Sequence, residues 1–410
     1  MKTKVKEIKV GLNFDSEAQP VGRLAIRNGI IYFEFDKEFQ QNNLEISPLK
    51  LPLQSGVIKL PKDPFEGLAG VFNDSLPDGW GRLLFDRTLR SQGISTSEIT
   101  PLDRLACVGL NGMGALVYAP DLSLNINNET IDLDDLATQT KDILEGESGD
   151  VINELLALNG SSAGARPKAL IGLDSERKNI SHGVNQLKYG FEHWIVKFPN
   201  TQDGNDAGAI EYVYALMASK AGIEIPSVHL FSSQKSSGYF SVKRFDRDGN
   251  KRLHMHTVSG LIHSNFRFPS LDYEDLLSLT SILTKDIREV EKMFRLAVFN
   301  VMAHNRDDHA KNFSFLMNEF GEWKLSPAYD LTFSNGPGGE QSTMVVGEGK
   351  NITRNHLIKL GLEAKLSKEF IDTVFEQVHS SLNDWANLSK NFGVSNSNRE
   401  LIQKAISKFR

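Results

Sequence analysis

Alternating apolar and polar positions mark the first part of the chain. KEIKVGLNF changes character at every second residue, which is the period of a strand with one buried face. VGRLAIRNGIIYFEF and SGVIKLPKD follow at close spacing and read as further short strands. The RNG of Arg27 to Gly29 predicts a hairpin turn. The apolar spacing then becomes helical through Trp80, Leu83, Leu84 and Leu89, and again through Leu102, Leu105 and Ala106. We therefore predict a β-rich subdomain over residues 1–120.

A polar stretch separates this subdomain from the rest. Residues 121–150 are rich in Asp and Glu around a few aliphatic residues, which indicates a surface connector with one or two helical turns. Residues 151–255 contain the small-residue loop NGSSAGARPKA, the strand patterns KALIGL, HWIVKFP, SVHLFS and GYFSVKRFDR, and the helical pattern GNDAGAIEYVYALMASKAGI. This order predicts a small α+β lobe.

From residue 256 to residue 410 the periodicity is mainly helical. KDIREVEKMFRLAVFNVMA places its apolar residues on one face, and three further helical patterns occupy residues 354–410. Between them, HNRDDHAKNFSFL is a polar loop that becomes apolar at Phe313 and Phe315, which should anchor it to the helical lobe. WKLSPAYDLTF predicts a short strand that carries Asp330. The fold class is α+β, with a strand lobe followed by a helical lobe.

Composition excludes several classes of protein. The 410 residues carry a formal net charge of -6, so the basic excess expected of a protein that binds nucleic acid by itself is absent. The single cysteine, Cys107, excludes an intramolecular disulfide and a thiolate metal cluster. No stretch of 18 uncharged apolar residues occurs, and we expect a cytosolic protein without membrane contact.

The loop HNRDDHAKNFSFL also contains a recognisable chemical pattern. Asp307 is followed five residues later by Asn312 and then by Asp330, an arrangement typical of two-lobed phosphotransferases. There the first carboxylate accepts the proton of the attacking hydroxyl, and the amide oxygen and later carboxylate bind Mg²⁺. For Asp308 we expect a solvated or loop-capping carboxylate.

Two upstream features could complete a nucleotide site. Lys197, between apolar neighbours on a strand, could bind phosphates, although such lysines are more often edge residues with the ammonium in water. Glu211 could hold that ammonium or be an exposed helix glutamate. In NGSSAGARPKA, small residues would let backbone amides approach an anion, and Arg166 and Lys168 add charge; from composition alone a flexible linker is preferred.

Other enzyme signatures are weak. The Walker pattern G-x4-G-K-[ST] is absent, GLNGMGA has the wrong spacing for a dinucleotide turn, and neither H-E-x-x-H nor G-x-S-x-G occurs. The strongest rival is a metal site for phosphoester hydrolysis, built from His304 and His309 with Asp307 and Asp308.

Five ordered motifs, SSAGARPK, VKFP, VKRFDR, RDDHAKN and SPAYDL, resemble those of the HipA family of bacterial toxin kinases, and FNDSLPDGWGR resembles the amino-terminal domain of that family. The resemblance implies a two-lobed, protein-kinase-like fold and a serine/threonine protein kinase that uses ATP and Mg²⁺. It makes Asp307 the catalytic base, with His309 and Lys311 in the same catalytic loop. Asn312 and Asp330 would bind magnesium, and Lys197 would contact the ATP phosphates.

The resemblance also implies further nucleotide contacts. These lie in the glycine-rich loop, at the segment that meets the adenine, and in the catalytic loop: Ala163, Gly164, Ala165, Arg166, Lys168, Lys243, Arg244, Phe245, His309 and Lys311. Ser161, or the adjacent Ser162, would be autophosphorylated. A phosphoserine adds roughly -1.5 to -2 charge, so it would repel a bound triphosphate and switch the enzyme off.

Family membership would bring partners as well. The resemblance implies a small helix-turn-helix antitoxin that binds operator DNA with the toxin as corepressor, and a protein substrate that could be an aminoacyl-tRNA synthetase, whose modification arrests growth. The acidic chain agrees with DNA affinity residing mainly in the antitoxin. A kinase-shaped corepressor without phosphoryl transfer is the alternative, but it would not need Lys197, Asp307, Asn312 and Asp330 together.

Overall fold

The structure is a computed structural model in which the chain forms two compact units. It describes all residues except 1–3, 16, 43, 92, 124–130, 147–151, 160–163, 184–186, 201–202, 269–270 and 410. The first unit comprises Met1–Gln202, Ser241–His263 and Leu316–Glu322, and the second comprises Asp203–Phe240, Ser264–Phe315 and Trp323–Arg410. The division into four segments stays a prediction.

Strands occur in both units. Within the described residues they are, in chain order, β1 (Glu7–Leu12), β2 (Gln19–Arg27), β3 (Ile30–Phe35), β4 (Val57–Lys59), β5 (Leu116–Ala119), β6 (Lys168–Asp174), β7 (Ile180–His182), β8 (Phe191–Lys197), β9 (Val228–Phe231), β10 (Tyr239–Lys243), β11 (Arg247–Asp248), β12 (Lys251–Arg252), β13 (His254–Thr257), β14 (Leu271–Asp272), β15 (Ser314–Met317), β16 (Trp323–Leu325) and β17 (Thr343–Met344).

The helices are concentrated in the second unit. Over the same described ranges they are α1 (Gly70–Asn73), α2 (Gly79–Ser91), α3 (Pro101–Val108), α4 (Leu133–Glu145), α5 (Ile152–Asn159), α6 (Ala207–Lys220), α7 (Val258–Ile262), α8 (Tyr273–Thr284), α9 (Ile287–Met302), α10 (Arg354–Glu363), α11 (Lys368–Leu382), α12 (Trp385–Asn391) and α13 (Asn396–Ile406). None of them is long and apolar enough to cross a membrane.

The first unit contains the predicted β-rich subdomain. Its antiparallel sheet has the order β4-β3-β2-β1-β5. The predicted hairpin is confirmed: Asn28 and Gly29 have φ of 52° and 74°, and two positive φ values are what a two-residue hairpin turn with the strand twist requires. In a second sheet, β6 pairs with β7 and β8, and β8 pairs with residues 241–243 of β10.

Two helical predictions need correction. The connector was expected to hold one or two turns, but α4 has 13 residues, begins at the capping carboxylate of Asp132 and ends before Gly146 at φ 101°. Its buried residues Leu133, Leu136 and Ile143 form a stripe, so packing extends the helix through an acidic sequence. Residues 354–410 contain four helices, α10 to α13, instead of three, because the chain turns at residues 383 and 384 between α11 and α12.

A buried ion cluster supports the first unit. Asp246 is fully buried, and its Oδ2 lies 2.8 Å from Arg244 Nη2 and 2.7 Å from Arg247 Nη1. Burial raises the pKa of Asp246, but the two guanidinium groups outweigh burial and hold that pKa below its ordinary value. The N–H of Gly114 also donates to Asp246, and the carbonyl of Gly112 accepts from Arg247. GLNGMGA is thus a turn of the first unit, as predicted.

A second buried network in this unit joins a serine, a histidine and an aspartate, the residue types of a catalytic triad. The His256 ring contacts Ser47 Oγ at 3.0 Å and Asp74 Oδ2 at 2.6 Å. Ser47 and His256 have no exposed surface, so no substrate reaches the hydroxyl. The network connects distant parts of the chain and is structural.

Candidate active site

The segment HNRDDHAKNF, which was predicted to be a catalytic loop and is called the catalytic loop below, lies in the second unit directly after α9. The chain leaves the helix through His304 at φ 58°, passes Asp307 and forms a short 3₁₀ turn over Ala310–Asn312. Phe313 and Phe315 are 2% and 0% exposed, which confirms that they anchor the loop. The Asp307 carboxylate is 58% exposed. The loop therefore presents a carboxylate at the surface of a fixed support.

Hydrogen bonds hold Asn312 against the first part of the loop. Its Nδ2 donates to the carbonyl of Asp307 at 2.7 Å, and its backbone N–H donates to the carbonyl of His309 at 2.8 Å. Because the amide nitrogen is directed at Asp307, the amide oxygen points the other way, where it can serve as a metal ligand. His309 Nε2 lies 3.9 Å from Asp307 Oδ1.

The residue before Asp330 is bonded to this loop. Tyr329 donates its hydroxyl to the carbonyl of Lys311 at 2.6 Å, which joins the segment of Asp330 to the segment of Asn312. Asp330 is half-buried at φ 55°. It was expected on a strand, but β16 ends at Leu325; the left-handed backbone at Asp330 is incompatible with a strand.

An aromatic side chain that the sequence did not single out packs on the loop. The Phe266 ring lies 5.3 Å from the His309 ring, and Lys311 Nζ lies 4.7 Å from the centre of the same ring. A cation over an aromatic face is attracted to it. Phe266 belongs to an irregular segment 43 residues before His309, and no local pattern indicates the contact.

Asp308 was expected to be a solvated or loop-capping carboxylate, and the solvated alternative is wrong. This residue is 1% exposed and accepts three hydrogen bonds, from Tyr273 Oη at 2.6 Å, Gln341 Nε2 at 3.0 Å and the N–H of Thr343 at 3.1 Å. Burial raises its pKa to about 6, although these bonds act in the opposite direction. Asp308 is a buried anchor of the catalytic loop.

The geometry does not favour the rival phosphoesterase site. The His304 ring stacks on Phe333, with centroids 5.4 Å apart and planes 17° apart, and Asp308 faces the buried donors just described. Over the described part of the chain, no group of three or more His, Cys, Asp or Glu is arranged to hold a metal ion. The predicted magnesium ligands, Asn312 and Asp330, are not a group of this kind, because they combine an amide oxygen with one carboxylate.

Two predicted nucleotide-binding lysines lie together in the first unit. Lys168 on β6 is the direct cross-strand partner of Lys197 on β8, so both side chains lie on one face of the sheet. Lys168 is 6% exposed and Lys197 is half-buried. The structure thus places two of the lysines predicted to bind phosphates on one face of one sheet.

Hydrogen bonds from another segment hold the described end of the glycine-rich loop. Gly164 donates its N–H to Asp78 Oδ1, and its carbonyl accepts from the N–H of Trp80 at 3.1 Å. A Cβ on Gly79 would lie 2.5 Å from the oxygen of Gly164, so only glycine permits this approach. The segment Asp78–Trp80, predicted only as a helix start, therefore holds the loop.

The remaining predicted nucleotide contacts have mixed surroundings. Ser161, Ser162 and Ala163 lie outside the described residues. Ala165 is exposed, and Arg166 and Phe245 are half-buried. Lys243 forms an ion pair with Glu192 at 2.6 Å, and the Arg244 guanidinium belongs to the buried Asp246 cluster. These assignments stay predictions. In the second unit, Glu211 is 2% exposed, so it is not the exposed helix glutamate considered above.

Comparison with known families covers most of the chain. A family model described as HipA-like C-terminal domain matches residues 160–386, and one described as HipA N-terminal domain matches residues 12–119. A chain of the solved Shewanella oneidensis MR-1 toxin–antitoxin complex of HipA, HipB and operator DNA is 15% identical, with a TM-score of 0.69 and coverage of 98% of this chain and 97% of that chain. The expected α+β, HipA-like fold is confirmed. The chain belongs to the HipA family.

Three curated relatives are named as putative kinases, and two of them match this chain over only about half of their length. In Sinorhizobium fredii (strain NBRC 101917 / NGR234), "Putative kinase Y4dM" is 26% identical over 219 residues, or 48% of this chain and 53% of that protein. "Putative kinase Y4mE" of the same strain is 25% identical over 332 residues, or 74% and 73%. A "Putative kinase" of Haemophilus influenzae is 23% identical over 185 residues, or 42% and 52%. The chain thus spans about half the length of the first and third relatives.

Proposed function

We propose that this chain is a HipA-like serine/threonine protein kinase of a toxin–antitoxin module. The observation that carries the proposal is the catalytic loop, in which an exposed Asp307 is followed by Asn312 bonded to its carbonyl at 2.7 Å. The arrangement matches what phosphoryl transfer needs, a base beside a metal ligand on a rigid support. The names of the relatives support the same reaction class.

In the proposed reaction, Asp307 accepts the proton of a substrate serine or threonine hydroxyl. The hydroxyl oxygen forms a bond to the γ-phosphorus of ATP while the bond to the bridging oxygen breaks, so that ADP leaves. Lys311 would place its ammonium near the γ-phosphate, and His309, 3.9 Å from Asp307, would shape the loop around the base.

The donor set fits magnesium. Asn312 directs its amide oxygen away from Asp307, and Asp330 supplies a carboxylate on the segment joined to the same loop by Tyr329. Both are hard oxygen ligands of the kind Mg²⁺ prefers. When bound, the ion would neutralise charge on the transferred phosphate.

Nucleotide binding would involve the first unit. Lys168 and Lys197 would attract the phosphates, and residues 243–245 would meet the adenine. The glycine-rich loop over residues 163–166 would supply backbone amides other than that of Gly164, which donates to Asp78. Autophosphorylation of Ser161 or Ser162 would place a dianion against the triphosphate and oppose its binding.

The partners follow from the family and from the solved complex. We propose that a HipB-like helix-turn-helix antitoxin binds this chain, contacts operator DNA and uses the chain as corepressor. The Shewanella assembly contains HipA, HipB and operator DNA, which supports this arrangement. The net charge of -6 agrees with DNA contacts made mainly by the antitoxin. An aminoacyl-tRNA synthetase is our candidate substrate.

Labelling with γ-labelled ATP and Mg²⁺ tests the reaction. The wild-type chain should be labelled at Ser161 or Ser162, and Asp307→Asn should abolish labelling because the amide cannot accept the proton. Asp248→Asn is the matched control, since Asp248 is an exposed aspartate of the first unit, and it should keep wild-type labelling. Persistent label in Asp307→Asn would refute the assigned base.

Two further outcomes separate the alternatives. ATP binding without any transfer, together with operator repression, would identify a catalytically silent corepressor. Phosphoester hydrolysis without ATP would instead favour the phosphoesterase. Growth arrest on expression, relieved by a helix-turn-helix protein, distinguishes a toxin from a housekeeping kinase.

A further inference from the structure

The backbone of the catalytic loop is hydrogen-bonded at five consecutive carbonyls. Those of residues 304 to 308 accept, in order, from Ser334 N–H, Gln341 Nε2, Ser342 Oγ, Asn312 Nδ2 and Thr343 Oγ1. Carbonyls of surface loops often bond to water, whereas each of these five has a donor within the protein. The main chain of this loop is therefore fixed by hydrogen bonds to other parts of the protein.

Three of these donors come from one short segment. Gln341 reaches the carbonyl of residue 305 at 2.7 Å, Ser342 reaches that of residue 306 at 2.9 Å, and Thr343 reaches that of residue 308. All three residues are at most 7% exposed. The segment is itself fixed, because Thr343 pairs with Leu271 across the parallel strands β17 and β14.

The same segment also binds the side chain of Asp308. Gln341 Nε2 and the N–H of Thr343 donate to its two carboxylate oxygens, and Tyr273 donates to the one shared with Gln341. Tyr273 in turn accepts from Asn300 Nδ2 at 3.0 Å. The residue directly after Asp307 is thus bonded through both its main chain and its side chain.

We propose that Gln341, Ser342 and Thr343 are positioning residues that set the direction of the Asp307 carboxylate. That carboxylate is 58% exposed and lies 3.9 Å from His309 Nε2, and the backbone on either side fixes where its side chain begins and which way its Cα–Cβ bond points. The segment bonds the carbonyls of residues 306 and 308, which flank it. The inference rests on the proposed function, in which Asp307 is the base.

Thr343→Val tests the proposal. It removes the hydroxyl bond to Asp308 but keeps the shape and the N–H bond. We expect kcat for ATP-dependent labelling to fall by about 10-fold or more, because small misplacements of a catalytic group cost up to roughly 100-fold. KM for ATP should stay close to that of wild type, because the substitution removes no contact to the nucleotide. Thr343→Ser should restore kcat.

Thr280→Val is the matched control. Thr280 is also fully buried, and its hydroxyl donates to the carbonyl of Leu276 at 2.7 Å within α8. The control loses the same kind of bond away from the loop and should keep its kcat. An equal loss in Thr280→Val would show general destabilisation and overturn the proposal, as would unchanged kcat in Thr343→Val.

Hydrogen exchange separates this proposal from the function on which it rests. Amides of residues 306–312 should exchange faster in Thr343→Val than in wild type, Thr343→Ser or Thr280→Val, whether or not the chain transfers phosphate. Unchanged exchange would overturn the positioning role. If Thr343→Val fails to fold, Ser342→Ala gives the same readouts, since it removes one hydroxyl bond to residue 306 and keeps the N–H bond at 3.2 Å. Faster exchange in Thr343→Val, together with no labelling of the wild-type chain, would refute only the proposed reaction.

Discussion

The buried carboxyl of Asp308 should make the stability of this chain depend on pH in the weakly acidic range. Burial raises its pKa from 3.8 to about 6, so between these values the folded chain keeps a proton that the unfolded chain has lost. The free energy of unfolding therefore falls as pH rises through this window and is constant above it. The stabilisation is complete below about pH 3.8 and lost above about pH 6.

The magnitude follows from the size of the shift. Each pKa unit corresponds to about 1.36 kcal/mol, so the full effect is roughly 3 kcal/mol. Between about pH 5 and pH 7 the expected loss is about 1.3 kcal/mol, since the protonated fraction of folded Asp308 falls from most to little over that interval.

Urea unfolding at about pH 5, 6 and 7 checks this expectation. The informative quantity is the free energy of unfolding of wild type minus that of Asp308→Asn, which lacks the titrating group. This difference should fall by about 1.3 kcal/mol between the end points. Asp248→Asn, at an exposed position, should instead follow wild type at every pH.

A pH-independent difference between wild type and Asp308→Asn would refute the reasoning. If Asp308→Asn does not fold, Tyr273→Phe decides the point. It removes a hydrogen bond that lowers the pKa of Asp308, so the pKa rises further and the loss of stability should extend to higher pH. An unshifted profile in Tyr273→Phe would contradict the assignment.

Two further predictions concern the first unit. Asp246→Asn should cost about 3–5 kcal/mol in urea unfolding, because it leaves two buried guanidinium groups without their counter-charge; a cost below about 1 kcal/mol, typical of a surface pair, would contradict this. Gly79→Ala should weaken binding of an ATP analogue. The added Cβ would lie 2.5 Å from the oxygen of Gly164, so it would displace the glycine-rich loop that is proposed to bind the nucleotide. Gly93→Ala, also at positive φ but with open space around it, is the control and should bind normally.

Local sequence patterns predicted most elements of the fold. Short apolar-rich stretches in the first 35 residues predicted β1 to β3, and Asn28-Gly29 located the hairpin between β2 and β3. These predictions succeed because a strand or turn depends on the residues within it. The length of α4 was predicted wrongly from its acidic sequence. Its three buried aliphatic residues stabilise a long helix only when neighbouring elements cover them.

In the candidate site, too, local patterns predicted some features and long-range contacts decided others. The spacing of Asp307 and Asn312 indicated a phosphotransferase loop, and the structure adds the hydrogen bond between them. Asp308 carries no local mark of its burial. Its partners Tyr273 and Gln341 lie 35 and 33 residues away in the chain, and no periodicity connects positions that far apart.

What the sequence alone determined is the set of chemical groups and the short elements that carry them. These are the loop with Asp307 and Asn312, the strand lysines and the glycine-rich segment, and their order points to the family. The tertiary structure decided which of these groups are exposed and what orients them. Asp307 and Asp308 are adjacent and identical in type, yet one faces solvent and the other is 1% exposed among three donors. The difference arises because strands β14 and β17 bring residues 341–343 against one side of the loop, a long-range contact that only the folded chain creates.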